Sequence, residues 1–164
     1  SYLASDLPMR SLKAVNATGG DEPDLAVFNT ARAFSETKSP YQSVVIVEFK
    51  RPERNEYPVK DENPVEQVLR YVRKIKEGTA KDKDGKTINV GSIPFYAYIL
   101  CSLTPRIKAI ADNHDFVKTP DNEGYFRYHQ SAGCYIEIVS YDKILSDAKK
   151  RNRAFFERLQ IPMS

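Results

Sequence analysis

Four consecutive β-branched apolar residues, Val44 to Val47, sit at the centre of the stretch SVVIVEFKRP, residues 43–52. A short run of this kind is what a buried strand requires, and it predicts a strong central strand over 43–50. Before it, DLAVFN (24–29) reads as a shorter strand that opens on an acid, separated from the first by a polar connection over 30–42. After the loop 51–63, Val65, Val68, Leu69, Val72 and Ile75 recur at helical spacing. Asn63 stands at the N-cap position, Pro64 at the first helical position and Gly78 where a helix closes, so a helix is predicted over 63–78. A polar loop (79–91) leads to an apolar strand over 94–103, then to a helix over 104–114 capped by Thr104 with Pro105 behind it. GYFRYH (124–129) and GCYIEIVS (133–140) read as two strands joined by a turn near Ala132–Gly133. The chain then enters an amphipathic helix over 141–159 with a core stripe of Ile144, Leu145, Ala148, Phe155, Phe156 and Leu159. The order is strand, strand, helix, strand, helix, hairpin, helix. It predicts an α/β or α+β domain with a mixed central sheet flanked by helices, without repeats and without an internal domain boundary.

Composition adds limits. The chain has 164 residues, 41% hydrophobic, enough to bury a real core in a single domain. No apolar run reaches the roughly 18 residues of a membrane span, and no signal-peptide pattern opens the chain. It begins at Ser1 and reads as part of something longer. The net charge of +3, from 25 basic and 22 acidic residues, allows nucleic-acid binding only where the positive charge clusters. Cys101 and Cys134 form no CxxC pair and read as reduced thiols of an intracellular, cytoplasmic protein. DKDGK (82–86) resembles a calcium loop but has Ala80 where the EF-hand needs an acid. His114 and His129 are isolated in sequence. Walker A, GxGxxG and HExxH motifs are absent from the sequence.

The chemistry concentrates at the end of the central strand. Residues i and i+2 of a strand project to the same side, so Glu48 and Lys50 stand together. If strands 24–29 and 43–50 pair, Asp24 joins Glu48 at one edge. Two carboxylates are hard oxygen ligands suited to magnesium or manganese, and a lysine beside them supplies positive charge. Gln67 and Tyr71, four residues apart, share one helical face, flanked by Glu66 and Arg70. Arg51, Arg54, Arg70, Arg73, Lys74 and Lys76 offer a phosphate-facing rim, although a solvated helix face accounts for the last four almost as well. The C-terminal KKRNR reads as a solvated run. A surface ion pair at a strand end is the plain alternative for Glu48 and Lys50, and on its strand-end position Lys50 is expected to cost little stability when removed.

Pro23-Asp24, then Glu48-Phe49-Lys50, then Gln67-Val-Leu-Arg-Tyr71 resembles the PD-(D/E)xK nuclease superfamily in the branch with a trailing QxxxY motif, over roughly residues 20–103. Over nearly the whole chain, VVIVEFKRP, NPVEQVLRYVRKI and SYDKILSDAKKRN look like the C-terminal domain of large bacterial proteins that begin with a histidine-kinase/gyrase-type ATPase. The resemblance implies a restriction-endonuclease-like core and a metal-dependent DNA nuclease that hydrolyses phosphodiester bonds, with an upstream ATPase domain as a partner in the same polypeptide. It implies that Asp24, Glu48 and the Phe49 carbonyl bind Mg2+ or Mn2+. Lys50 would position the attacking water or stabilise transition-state charge, while Gln67, Tyr71 and Arg51 would steady the site and the nucleic-acid backbone. The superfamily's further acid, on a helix before the first core strand, has no match here: Asp6 is the only acid before Asp21. That gap motivates the alternative of a catalytically degenerate module that binds DNA or a partner.

Overall fold

In a computed structural model the described residues are 24–30, 41–57, 63–80, 87 and 90–158, with the side chains of Thr30 and of residues 155–157 not described. The stretch holding Asp6, most of the 30–42 connection, the DKDGK loop and Leu159 lie outside the described residues, as do the side chains of Phe155 and Phe156.

Six strands form one mixed sheet. They are β1 (Leu25–Thr30), β2 (Tyr41–Phe49), β3 (Phe95–Cys101), β4 (Val117–Lys118), β5 (Gly124–His129) and β6 (Cys134–Ser140), in the spatial order β1-β2-β3-β6-β5-β4. β2, β3 and β6 run parallel to one another at the centre, and the outer strands pair antiparallel. Parallel neighbours need crossovers, which here contain the helices α1 (Pro64–Lys76) and α2 (Pro105–Asn113); a third helix, α3 (Tyr141–Arg158), follows β6 directly. The predicted α+β class and mixed sheet are therefore present. The predicted pairing of the first two strands, with the third beside them, is present as well.

The core lies between one sheet face and the helices. Alternation along β2 buries Val44, Ile46, Glu48 and Lys50, while Val45, Val47 and Phe49 face the other way and keep solvent contact. Phe28, Phe95, Ile99, Ile136 and Ile138 continue the buried face across the sheet. Onto it α1 lays Val65, Val68, Tyr71, Val72 and Ile75, packing against β2 and β3. Its ends are set by the residues expected to set them. The Asn63 side chain accepts from the Glu66 N–H at 3.0 Å, Pro64 needs no donor partner, and Gly78 takes φ +70°, a left-handed conformation that glycine adopts without strain. Thr104 caps α2 in the same way through the Ile107 N–H.

Three features depart from the sequence expectation. β2 starts two residues earlier, at Tyr41. β4 is a two-residue strand that carries no periodic signal. The predicted core stripe of α3 is only partly buried: Ile144 and Ala148 are half-buried, but Leu145 is 57% exposed. The cause is geometric, since α3 meets the sheet chiefly through β6.

Gly124 opens β5 against β6, and a Cβ there would collide with the Ile138 carbonyl oxygen of β6. Backbone cannot yield as a side-chain tip can. Gly124→Ala should lower stability by about 1–3 kcal/mol, read as a fall in the urea midpoint, and an unchanged midpoint would contradict this packing.

Candidate active site

The end of β2 gathers five side chains from four elements. The β1–β2 register pairs Leu25 with Val47, and continuing it by one residue sets Asp24 opposite Glu48. The Phe49 N–H donates to Asp24 Oδ2 at 2.6 Å, which fixes the Asp24 carboxylate against the last residues of the strand. Glu48 and Lys50, both on the covered face, are only 5% and 6% exposed. Lys50 Nζ donates to Glu48 Oε1 at 2.6 Å and to Gln67 Oε1 of α1 at 2.5 Å. Gln67 reaches it because α1 begins over the end of β2; Tyr71, one turn on, is buried in the core with the Arg70 guanidinium 5.8 Å from its ring centre.

The pair is thus neither a surface ion pair nor removable at little cost, and the expectation about Lys50 is corrected. It stands at the end of the strand, but α1 covers that end.

Two valences are left over. Glu48 Oε2 is buried and makes no hydrogen bond. Lys50 carries three N–H donors and spends two on Glu48 and Gln67. Burial pushes the Glu48 carboxyl above its ordinary range, the hydrogen bond and charge of Lys50 pull it down, the Asp24 carboxylate pushes it up again, and the Asp24 backbone N–H, close to the Glu48 carboxylate, lowers it slightly. The push from Asp24 is what two carboxylates near one point do to each other. Among the described residues no group of three or more His, Cys, Asp or Glu side chains is placed to hold a metal, so Asp24 and Glu48 stand as a pair.

Sequence reasoning missed Tyr141, the first residue of α3. Its hydroxyl donates to the Lys50 carbonyl at 2.7 Å, while the Lys50 N–H donates to the Leu100 carbonyl at 2.8 Å. The backbone of Lys50 is therefore held from both sides. A tyrosine 91 residues away carries no local signal of that contact.

Beyond Lys50 the chain turns into a loop with Arg51 exposed. Arg51, Glu53, Arg54, Asn55 and Glu56 line an open depression of about 620 Å³ next to the site. The loop is tied to the start of α2 by Glu53 N–H to Ser102 Oγ and Arg106 N–H to Asn55 Oδ1, both 3.0 Å. Arg54 lies 4.6 Å from the Tyr57 ring centre. The proposed rim does not hold together as one surface. Lys76, about 13 Å along α1 from Gln67, donates to the Ala132 carbonyl and lies 5.2 Å from the Phe95 ring, at the opposite end of the sheet. Burial pushes both thiols, Cys101 and Cys134, up to about 12, so they remain protonated and supply no thiolate chemistry.

A buried carboxylate held by one cation predicts a pH signature. Glu48 has a raised folded pKa, so the native state holds its proton more tightly than the unfolded chain. Its stabilising share is complete below pH about 4.5 and is lost as pH rises through the folded value. Lys50→Met removes the two strongest downward influences. In chelator, the variant should lose about 3–5 kcal/mol at pH 8 and distinctly less at pH 5, and Glu48→Gln on top should recover part of the loss. Urea unfolding at both pH values decides, and an equal loss at each would contradict the buried pair.

Compared with known proteins, the chain matches no family profile, no curated protein and no solved structure.

Proposed function

We propose that the chain is a divalent-metal-dependent nuclease domain that hydrolyses phosphodiester bonds in DNA, built on a PD-(D/E)xK core formed by β1, β2, α1 and β3. The observation that carries this reading is the open oxygen of Glu48, buried without a hydrogen bond beside a second carboxylate and a restrained ammonium. A carboxylate oxygen in that position is costly unless something binds it.

The residues present fit Mg2+ or Mn2+. Glu48 Oε2 and the Asp24 oxygen not used by the Phe49 N–H would hold it, with the Phe49 carbonyl as a further hard ligand at the same strand end. Magnesium sites use one or two carboxylates and complete their shell with water and substrate phosphate, so a two-carboxylate site is sufficient. When bound, the ion would polarise the scissile phosphate and lower the pKa of a water.

The chain's own groups do the rest. Gln67 and Glu48 hold the Lys50 ammonium in one place, so its third N–H is directed without further ordering at the moment charge develops on the phosphate. Tyr141 and Leu100 hold the Lys50 backbone, so the side chain starts from a fixed point. Arg51, next along the chain and exposed, would meet the polymer backbone rather than the reacting atoms.

The second reading, a degenerate nuclease fold that binds DNA or a partner for an upstream ATPase domain, draws on the same pair. Glu48 Oε1 is already committed to Lys50, and the described residues bring two acids, not three, to the site.

Asp24→Asn separates the two. Asparagine keeps an oxygen for the Phe49 N–H and removes the charge. The wild type should cleave linear or circular DNA with Mg2+ or Mn2+, and the variant should be slower by about 10²–10³ and bind Mn2+ more weakly in a paramagnetic titration. Equal Mn2+ binding by both proteins, with no cleavage by either, would leave the binding-module reading in place of the nuclease.

A further inference from the structure

Two stretches of this chain concentrate positive charge: residues 70–76, with four basic and no acidic side chains, and the second half of α3. Residues 149–158, the second half of α3, hold five of the 25 basic side chains and one of the 22 acidic ones; that stretch is +4 and the remainder of the chain is −1. On α1, Arg70 and Lys74 are partly buried and Lys76 donates to the Ala132 carbonyl, so the second half of α3 is the stretch whose cations all stand in solvent. Lys149, Lys150, Arg151, Arg153 and Arg158 are all exposed.

Their arrangement is not that of a uniformly solvated helix. Ser146, Lys149, Lys150, Asn152 and Arg153 line one groove of about 640 Å³ along α3, with Asp142 and Leu145 at its other end. Cations interleaved with a hydroxyl and an amide are the donors that phosphate oxygens accept from. Lys150 makes a long 3.7 Å contact with Asp147 while its side chain remains 75% exposed, a pair too loose to withhold it.

The start of α3 is anchored at the candidate site. Tyr141 donates to the Lys50 carbonyl, Ser140 Oγ accepts from the Lys143 N–H at 2.9 Å, and Lys143 pairs with Asp121 at 2.6 Å. From Tyr141 to Lys149 is about 12 Å of helix, and to Arg158 about 26 Å. At about 3.4 Å per nucleotide along one strand, that reach corresponds to phosphates roughly four to eight nucleotides from the site.

We propose that the Lys149–Arg153 groove of α3 is a binding surface for the phosphate backbone of duplex nucleic acid, holding the polymer several nucleotides to one side of the Asp24–Glu48–Lys50 site. A membrane surface fits less well. The apolar residues Ile144 and Ala148 are half-buried, and the described side chains that the second half of α3 exposes are mostly cationic. The choice of polymer rests on the nuclease reading; the binding itself does not.

Binding is therefore measured in EDTA, without cleavage, by fluorescence anisotropy of a labelled duplex longer than α3, across about 50–200 mM salt. The wild type should bind with a steep salt dependence. Lys149→Gln/Lys150→Gln, two exposed positions, should bind several-fold more weakly at the low-salt end, with a log–log slope shallower by about 1 to 2, and Lys149→Arg/Lys150→Arg should keep the slope. Identical affinity and slope for the Gln variant, or no duplex binding by the wild type, overturns the proposal. So does binding of the wild type to phosphatidylcholine–phosphatidylserine vesicles in preference to the duplex. Persistent Lys149- and Lys150-dependent binding with no metal-dependent cleavage sustains the groove while removing the nuclease reading.

Discussion

The structure depends on a charged pair kept out of water. Withdrawing Glu48 and Lys50 from solvent costs several kcal/mol per ion unless each finds partners, and the neighbouring elements supply them. α1 must begin over the end of β2 for Gln67 to reach Lys50. β1 must pair in the register that brings Asp24 beside the Phe49 N–H. α3 must start close enough for Tyr141 to take the Lys50 carbonyl. Apolar pairs of similar size often satisfy a fold as well, and the proposed function would give these charges a role beyond stability. The incompletely satisfied valences, Glu48 Oε2 and the third donor of Lys50, lie where that role would be exercised.

Much of this arrangement was legible in local pattern. The alternation of a strand places Glu48 and Lys50 on one side, and the helical repeat places Gln67 and Tyr71 on another element's inward face. The Asn63, Pro64 and Gly78 signals located α1 to within a residue or two, because caps and prolines act through the backbone immediately around them. What local pattern lacks is which element covers which face. The i, i+2 rule says that Glu48 and Lys50 are neighbours, but only the arrival of α1 buries them. The contact of Tyr141 with Lys50 spans 91 residues and rests on β6 ending beside β3, one strand removed from β2. The period of α3 was readable, but among the described residues it meets the sheet chiefly through β6, and Leu145 remains exposed. β4, two residues long, is too short for alternation to register.

The same topology separates two kinds of positive charge that sequence alone runs together. Lys76 is spent at the far end of the sheet on the Ala132 carbonyl and the Phe95 ring, although it follows the site residues in the same basic helix. The KKRNR segment, which reads as a solvated run, belongs to a helix that starts at the site. Parallel strands that end together, with loops and helix starts gathered there, are a common way for an open sheet to assemble chemistry from distant residues. Here the ends of β2, β3 and β6 collect Lys50, Leu100 and Ser140, each holding another element in place.

The central claim is that the open oxygen of Glu48 exists to bind a hard divalent cation together with Asp24. Anomalous diffraction from crystals grown with Mn2+ tests it without reference to activity. The account predicts a single strong peak at about 2.0–2.3 Å from Glu48 Oε2 and from an Asp24 carboxylate oxygen, with Lys50 still on Glu48 Oε1 and Gln67. No peak at the end of β2 under saturating Mn2+, with Glu48 bonded to Lys50 alone, would contradict it.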